Sequence, residues 1–312
     1  MYKNIDASNS CFKYTGVWQN DNSIAVSYGT VSFLEFGFTG REITLNAKTV
    51  GEVVFYLDGE KFLPIIEEEK IVFKVSDGNH ILKIKTTPEA RVFFKDVIIP
   101  ENENIFKTEN KKYIQFIGDS ITYKYPGYSS ATGDNLGVDY SVVAYCGMSL
   151  KDGWGWYKLP DGLTVRPGME SMYFKLERPH ETVTFTDYNF DFLRVPDVLV
   201  IALGTNDYLN SAEEKENGHI EAFVASYLNF VKKLREKYKD AKVYVLKPFN
   251  ESFCRNEAVT KAFCEISKAI DNVELIDSIS WNVEICSDGT HPTDLGYSQI
   301  AEHLSAVLSK ER

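Results

Sequence analysis

The chain has 312 residues, of which 44% are hydrophobic and 25% charged, and its formal net charge is -11. The length exceeds that of a typical single domain and the apolar content suffices for packed cores, so we expect two globular domains rather than a disordered or fibrous chain. The acidic balance argues against a nucleic-acid partner, because binding of phosphates requires a basic surface. No apolar run is long enough for a membrane span, so no membrane partner is expected.

The N-terminal residues MYKNIDASNS lack the basic start and apolar stretch of a secretory signal. The 5 cysteines are scattered and form no C-x-x-C pair, which is typical of free thiols in a reducing compartment. We therefore expect a cytoplasmic protein. The sequence leaves its oligomeric state open.

The first hundred residues consist of short β-type segments separated by turn residues. Alternation of apolar and polar residues predicts seven strands, at 24–28, 31–36, 42–47, 53–57, 71–75, 80–85 and 92–99. Close strand spacing without helical periodicity predicts an all-β jelly-roll sandwich domain over residues 1–107. The polar stretch 100–112 is interpreted as a linker.

Beyond the linker, short apolar runs alternate with segments of helical period. The runs lie at 113–117, 140–145, 198–203, 243–246 and 273–276, and the helical stripes at 220–234, 259–270 and 304–308. This alternation predicts an α/β domain over residues 108–312, with a doubly wound parallel five-stranded sheet. Residues 150–195 show no clear period and are interpreted as a long irregular insertion or a lid.

Polar segments follow four of the five predicted strands. They contain Ser120, Gly147, Asn206 and, after the fifth strand, Asp288 and His291. Because the carboxyl ends of parallel strands meet at one edge of the sheet, these segments are expected to converge on one crevice.

Such a set of residues can carry out acyl transfer. Ser120, at a strand-to-helix turn, is the candidate nucleophile, His291 the candidate base, and Asp288 the group that orients the imidazole. The backbone N–H groups of Ser120 and Gly147 and the side-chain amide of Asn206 are the candidate oxyanion donors.

Each segment also has a purely structural interpretation. Gly-Asp-Ser is a common turn and helix cap, and a glycine after a strand often serves only the turn. Asn206 and Asp207 are equally suited to cap a helix that begins near Ser211, and residues 288–292 can form a plain turn.

The order of the segments nevertheless resembles the GDSL, or SGNH, hydrolase superfamily over roughly residues 113–310, with Gly118-Asp119-Ser120, the stretch 204–207 and Asp288-x-x-His291-Pro292. The resemblance implies a Ser-His-Asp hydrolase that forms an acyl-enzyme intermediate and needs no metal and no cofactor. The stretches 14–18, 56–59 and 78–82 are similar to those of carbohydrate esterase family 2, which includes acetyl xylan esterases. Membership of that family would imply a jelly-roll domain joined to an esterase that removes acetyl groups from sugars.

One departure from the family pattern affects the second segment. Ser149 stands where a second glycine is expected, which puts the loop geometry around Gly147 in question.

Aromatic residues near these segments are candidates for stacking on sugar rings. They are Trp154, Trp156, Tyr157, Tyr208 and Trp281. Each can instead belong to a hydrophobic core, which is the commoner fate of a tryptophan.

The preferred hypothesis is a serine esterase that removes O-acetyl groups from xylo- or other oligosaccharides. One rival is an esterase, lipase or thioesterase for a non-sugar acyl ester, and another is a carbohydrate-binding protein with a degenerate hydrolase domain. A metallophosphoesterase is disfavoured, because two-metal sites need many ligands and the chain has 5 histidines, with no Asp-x-His before Gly118.

Overall fold

The structure is a computed structural model that describes residues 1–155, 167–176, 186–207, 218–249 and 257–311. The chain divides into two compact units. The first comprises Met1–Lys111 and Tyr188–Arg194, and the second comprises Lys112–Asp187 and Val195–Arg312.

The first unit is built from antiparallel strands. Its strands are β1 (Tyr2–Asp6), β2 (Lys13–Asp21), β3 (Ile24–Thr39), β4 (Glu42–Val50), β5 (Val53–Leu57), β6 (Glu60–Phe62), β7 (Ile65–Glu67), β8 (Lys70–Lys74), β9 (Asn79–Thr86), β10 (Arg91–Pro100) and β11 (Ile105–Phe106). One group pairs in the order β2-β3-β9-β5-β6 and another in the order β1-β10-β4-β8-β7. The long strand β3 joins the groups, since it also pairs with β10.

Alternating burial along these strands explains why they form a layered core. In β4, Ile43, Leu45 and Ala47 are buried while their neighbours are partly exposed, and Ile71 and Phe73 do the same in the adjacent β8. Side chains of a strand point alternately to opposite faces, so each such strand contributes one apolar face.

The strands differ from the sequence prediction at several points. The predicted strands 24–28 and 31–36 form one continuous strand, in which Gly29 takes a positive φ of 76° instead of ending the strand. Strands β1 and β2 were not predicted. Within the predicted linker, β11 pairs Ile105 with Phe38 of β3, so that part of the stretch belongs to the sheet.

Residues 188–194, which the sequence analysis placed in the second domain, belong to the first unit. The Phe192 ring lies 4.5 Å from that of Tyr14, and Arg194 donates a hydrogen bond of 3.1 Å to the Thr15 hydroxyl. The backbone N–H of Asn189 donates to the Gln19 side chain at 3.1 Å. Contacts with residues far away in sequence thus determine where this segment lies.

The second unit combines a parallel sheet with helices. Its elements are β12 (Tyr113–Gly118), α1 (Ser120–Tyr123), α2 (Tyr128–Leu136), β13 (Asp139–Ala144), α3 (Met169–Met172), β14 (Lys175–Leu176), β15 (Thr186–Asp187), β16 (Val198–Ala202), α4 (His219–Lys237), β17 (Lys242–Leu246), α5 (Glu257–Ala269), β18 (Val273–Ile276) and α6 (Asp294–Leu308). Short 3-10 helices cover Ser278–Trp281 and Ser309–Glu311.

The five longer strands of this unit pair in parallel, in the order β18-β17-β16-β12-β13. Strands β12, β13 and β16 are buried along their whole length, as the continuous apolar runs predict. Helix α2 packs with α6, and α4 with α5. None of the helices in the described ranges is long and apolar enough to cross a membrane.

Candidate active site

The candidate nucleophile lies directly after the central strand β12. The strand ends at Gly118, and the Asp119 carboxylate accepts a hydrogen bond of 3.0 Å from the Ile121 N–H, which caps α1. Ser120 is the first residue of this helix, so its backbone N–H is one of those that the helix itself leaves without a partner.

A chain of hydrogen bonds connects Ser120 with two residues from the C-terminal part of the protein. The Ser120 Oγ lies 2.9 Å from the His291 Nε2, and the His291 Nδ1 lies 2.7 Å from the Asp288 Oδ2. An Nδ1–H that donates to the carboxylate leaves Nε2 as the acceptor for the serine hydroxyl proton. This is the geometry that general-base activation of a hydroxyl requires.

The Asp288 carboxylate is held in its charged form. Backbone N–H groups of Thr290 and His291 both donate to its Oδ1 at 2.9 Å. These bonds, first that from Thr290, together with the bond from the His291 ring lower the pKa of Asp288 to about 2. The carboxylate is therefore ionised at any pH near neutrality and able to orient the imidazole.

Strand register places three of the sequence-predicted segments side by side. Gly118, at the end of β12, pairs with Ala144 of β13 on one side and with Ala202 of β16 on the other. The residues that follow these three positions therefore begin at one level of the sheet. They include Gly147 after β13 and Asn206 after β16.

The loops after β13 and β16 are joined directly. The Asn206 amide Nδ2 donates a hydrogen bond of 2.9 Å to the Met148 carbonyl oxygen. An amide group has two N–H bonds, and the Met148 carbonyl oxygen accepts only one of them. Gly147 has a φ of 72°, a left-handed conformation that glycine adopts without strain.

The serine in place of an expected glycine fits this loop. Ser149 is fully buried, and its hydroxyl donates a hydrogen bond of 2.7 Å to the Lys151 carbonyl oxygen. Gly155 approaches the loop so closely that a Cβ atom there would lie 2.6 Å from the Gly147 oxygen. The close approach of Gly155 was not predicted, since nothing in the local sequence indicates it.

The two carboxylates next to Ser120 and Asn206 in the sequence, Asp119 and Asp207, are buried. Burial raises the pKa of Asp119 to about 6 and that of Asp207 to about 7, and the charge on Asp119 raises the pKa of Asp207 further. Asp207 accepts hydrogen bonds from the backbone N–H groups of Leu150 and Lys151, at 2.8 and 3.0 Å. Sequence reasoning considered Asp207 only as a helix cap and missed these long-range bonds.

Two of the aromatic residues predicted to stack on sugar rings, Trp154 and Trp281, lie within the described ranges, and both contact other rings. The Trp154 ring stacks on that of His219 with centroids 3.9 Å apart. The Trp281 ring lies nearly parallel to that of His303, at 5.1 Å, and 6.1 Å from that of Phe249. Trp156, Tyr157 and Tyr208 lie outside the described residues.

The parallel sheet and the segments that follow its strands, with a serine, a histidine and an amide side chain, lie within the part of the chain that a family model matches. Residues 114–304 match the model of the GDSL-like lipase/acylhydrolase family, and the chain belongs to this family. The family expected from the sequence motifs is thus confirmed.

Relatives of known structure have the same overall fold. A family two carbohydrate esterase from Clostridium thermocellum, in complex with cellohexaose, aligns with a TM-score of 0.68 and 22% identity over 96% of this chain and 98% of that chain. The acetyl xylan esterase Est2A from the rumen bacterium Butyrivibrio proteoclasticus aligns with a TM-score of 0.73 and 15% identity, over 100% of this chain and 98% of that chain.

The cellulase/esterase CelE of Acetivibrio thermocellus is similar in sequence. It is 26% identical over 244 residues, which is 68% of this chain and 28% of CelE. The match thus spans little more than a quarter of that curated relative.

Proposed function

We propose that this protein is a serine esterase that removes O-acetyl groups from carbohydrates, such as xylo-oligosaccharides, through an acyl-enzyme intermediate. The observation that carries the proposal is the hydrogen-bonded chain from Ser120 through His291 to Asp288. The relatives named as carbohydrate esterases, one of them in complex with cellohexaose, support the choice of a sugar ester as substrate.

In the proposed reaction, the Ser120 Oγ attacks the acetyl carbonyl carbon while the His291 Nε2 takes the proton of the Ser120 hydroxyl. The N–H groups of Ser120 and Gly147 and the free N–H of Asn206 bind the resulting oxyanion. The C–O bond to the sugar then breaks, and the proton passes from His291 to the sugar oxygen. Water, deprotonated by the same imidazole, releases acetate from Ser120 in the second half-reaction.

We also propose an architecture for each unit and two residues that contact the sugar. The first unit is proposed to be a jelly-roll domain, and the sheet of the second unit to be doubly wound, with the two helix pairs on opposite faces. Trp154 and Trp281 are proposed as sugar contacts. The ring contacts of Trp281 with His303 and Phe249 leave it less freedom to stack on a sugar than an isolated surface ring has.

The mechanism is tested by replacing the nucleophile. The variant Ser120→Ala should hydrolyse p-nitrophenyl acetate at least about 1,000-fold more slowly than the wild type, because it lacks the hydroxyl that forms the proposed acyl-enzyme. The exposed Ser298, whose hydroxyl donates to the Asp294 carbonyl oxygen within α6, provides the control variant Ser298→Ala, which should keep wild-type activity. Retention of activity in Ser120→Ala would refute the mechanism.

The substrate class is tested separately. Acetate release from acetylated xylo-, manno- and gluco-oligosaccharides should exceed that from simple alkyl acetates. A series of p-nitrophenyl esters from acetate to octanoate should show falling kcat/KM with chain length, and a preference for octanoate would favour the lipase alternative. Loss of activity with excess chelator would favour a metal-dependent reaction.

A further inference from the structure

The buried carboxylate of Asp207 has an unusual set of partners. Its side chain is 1% exposed, and its two oxygens accept hydrogen bonds from two consecutive backbone N–H groups, those of Leu150 and Lys151. These residues precede Asp207 by 57 and 56 positions in the chain. A helix cap would bond to N–H groups of the residues that follow, whereas this carboxylate holds the loop of a different strand.

Asn206 and Asp207 together bond to three residues of that loop, Met148, Leu150 and Lys151. Asn206 donates to the Met148 carbonyl oxygen, and Asp207 accepts from the N–H groups two and three residues later. Because β13 and β16 lie on either side of β12, these bonds span the end of the strand that leads to Ser120. The loop conformation just after Gly147 is therefore fixed from the opposite side of the nucleophile.

The other buried carboxylate does not share this arrangement. Asp119 caps its own short helix by accepting a hydrogen bond from the Ile121 N–H, and its further side-chain hydrogen bond is with Thr205, after β16. A carboxyl group whose two oxygens each accept a hydrogen bond from a different backbone N–H is held in one orientation. Of the two buried carboxylates, Asp207 is therefore the one that fixes the conformation of the loop after β13.

On the basis of the proposed function, we infer that Asp207 is a positioning residue: by fixing the backbone of Leu150 and Lys151, it aims the Gly147 N–H and the Asn206 amide at the oxyanion. Both groups act only if they lie at the right distance when negative charge develops on the carbonyl oxygen. Displacement of such donors should lower kcat more than it changes KM, because the oxyanion exists only after substrate has bound.

The test is the variant Asp207→Asn, which keeps the shape of the side chain but places an NH2 group where one oxygen accepted an N–H. We expect kcat for p-nitrophenyl acetate to fall by roughly 10- to 100-fold and KM to change by less than about threefold. The matched control is Asp152→Asn on the same segment, whose carboxylate accepts from the Gly168 N–H at 2.6 Å. Its kcat should stay within about threefold of the wild type.

A second variant separates positioning from a general structural effect. In an Asn206→Ala background one of the two positioned donors is already absent, so Asp207→Asn should lower kcat much less than it does in the wild type. Equal effects in the two backgrounds would overturn the inference. So would wild-type kcat in Asp207→Asn, or an equal loss in Asp152→Asn.

Circular dichroism and thermal melting show whether Asp207→Asn folds. If it does not, amide hydrogen exchange of the wild type provides the measurement. Exchange of the Leu150 and Lys151 N–H groups should slow by about tenfold when phenylboronic acid forms a tetrahedral adduct on Ser120, and unchanged exchange would refute the coupling. An active wild type with either negative result refutes this inference alone, whereas an inactive wild type refutes the proposed function with it.

Discussion

A substitution at Gly155 tests how far the loop around Gly147 can be displaced before kcat falls. A Cβ atom at position 155 would lie 2.6 Å from the Gly147 oxygen, 2.7 Å from the Ser149 nitrogen and 2.8 Å from the Ser149 Oγ. Ordinary van der Waals contact begins near 3.4 Å, so the variant Gly155→Ala requires a shift of 3.4 - 2.6 = 0.8 Å. Two of the three atoms belong to the backbone, and therefore the loop itself has to move.

The expected cost follows from that displacement. A misplacement near 1 Å lowers the rate by up to about 100-fold, so kcat of Gly155→Ala should fall by roughly 10- to 100-fold. Overpacking of this kind also costs about 1–3 kcal/mol of folding free energy. Steady-state kinetics with p-nitrophenyl acetate and thermal melting measure the two effects independently.

The matched control is Gly153→Ala, two residues away in the same loop. A Cβ at Gly153 meets nothing within 4 Å, although its φ of 86° makes alanine strained there. This variant should lose about 1–2 kcal/mol of stability and keep kcat within about threefold. Wild-type kcat in Gly155→Ala, or an equal loss in Gly153→Ala, would refute the argument that close packing at position 155 sets the donor geometry.

Two further predictions concern the carboxylates. Replacement of Asp288 by Asn should lower kcat for p-nitrophenyl acetate at least about tenfold, because the neutral amide cannot stabilise the imidazolium, and an unchanged kcat would remove Asp288 from the mechanism. The raised pKa values of Asp119 and Asp207, about 6 and about 7, mean that the folded state binds these protons more tightly than the unfolded chain does. Stability from these groups is therefore greatest at low pH and is lost as the pH rises from about 4 to about 7, so the rise in Tm from about pH 8 to about pH 5 should be smaller in Asp207→Asn than in the wild type. Equal pH dependence in both proteins would contradict the assignment.

The sequence predicted elements best where local pattern and burial agree. The apolar run 113–117 corresponds to β12, because a strand buried on both faces needs apolar residues throughout. The prediction failed for β2, Lys13–Asp21, where Lys13 and Gln19 interrupt the apolar pattern and yet are buried. Lys13 reaches Glu35 at 2.6 Å, a partner that only the folded chain brings near.

The residues of the candidate site also differ in whether the sequence alone could identify them. Ser120, Asn206 and His291 could be singled out because each follows a strand and carries a reactive or hydrogen-bonding group. Asp207 and Gly155 could not be assigned their positions, since their partners lie elsewhere in the chain or in the backbone of another segment. A sequence motif therefore predicts which side chains are reactive, whereas it does not predict contacts with the backbone of a distant segment.

The placement of residues 188–194 has a consequence for how this protein can be divided. The chain passes between the units three times, after Lys111, after Asp187 and after Arg194. A fragment cut at residue 112 would carry Phe192 away from Tyr14, leaving the Tyr14 ring uncovered and the first unit without one of its packing partners. The two units therefore cannot be separated by a single cut in the chain. A chimaera that exchanges one unit must keep residues 188–194 together with the first unit.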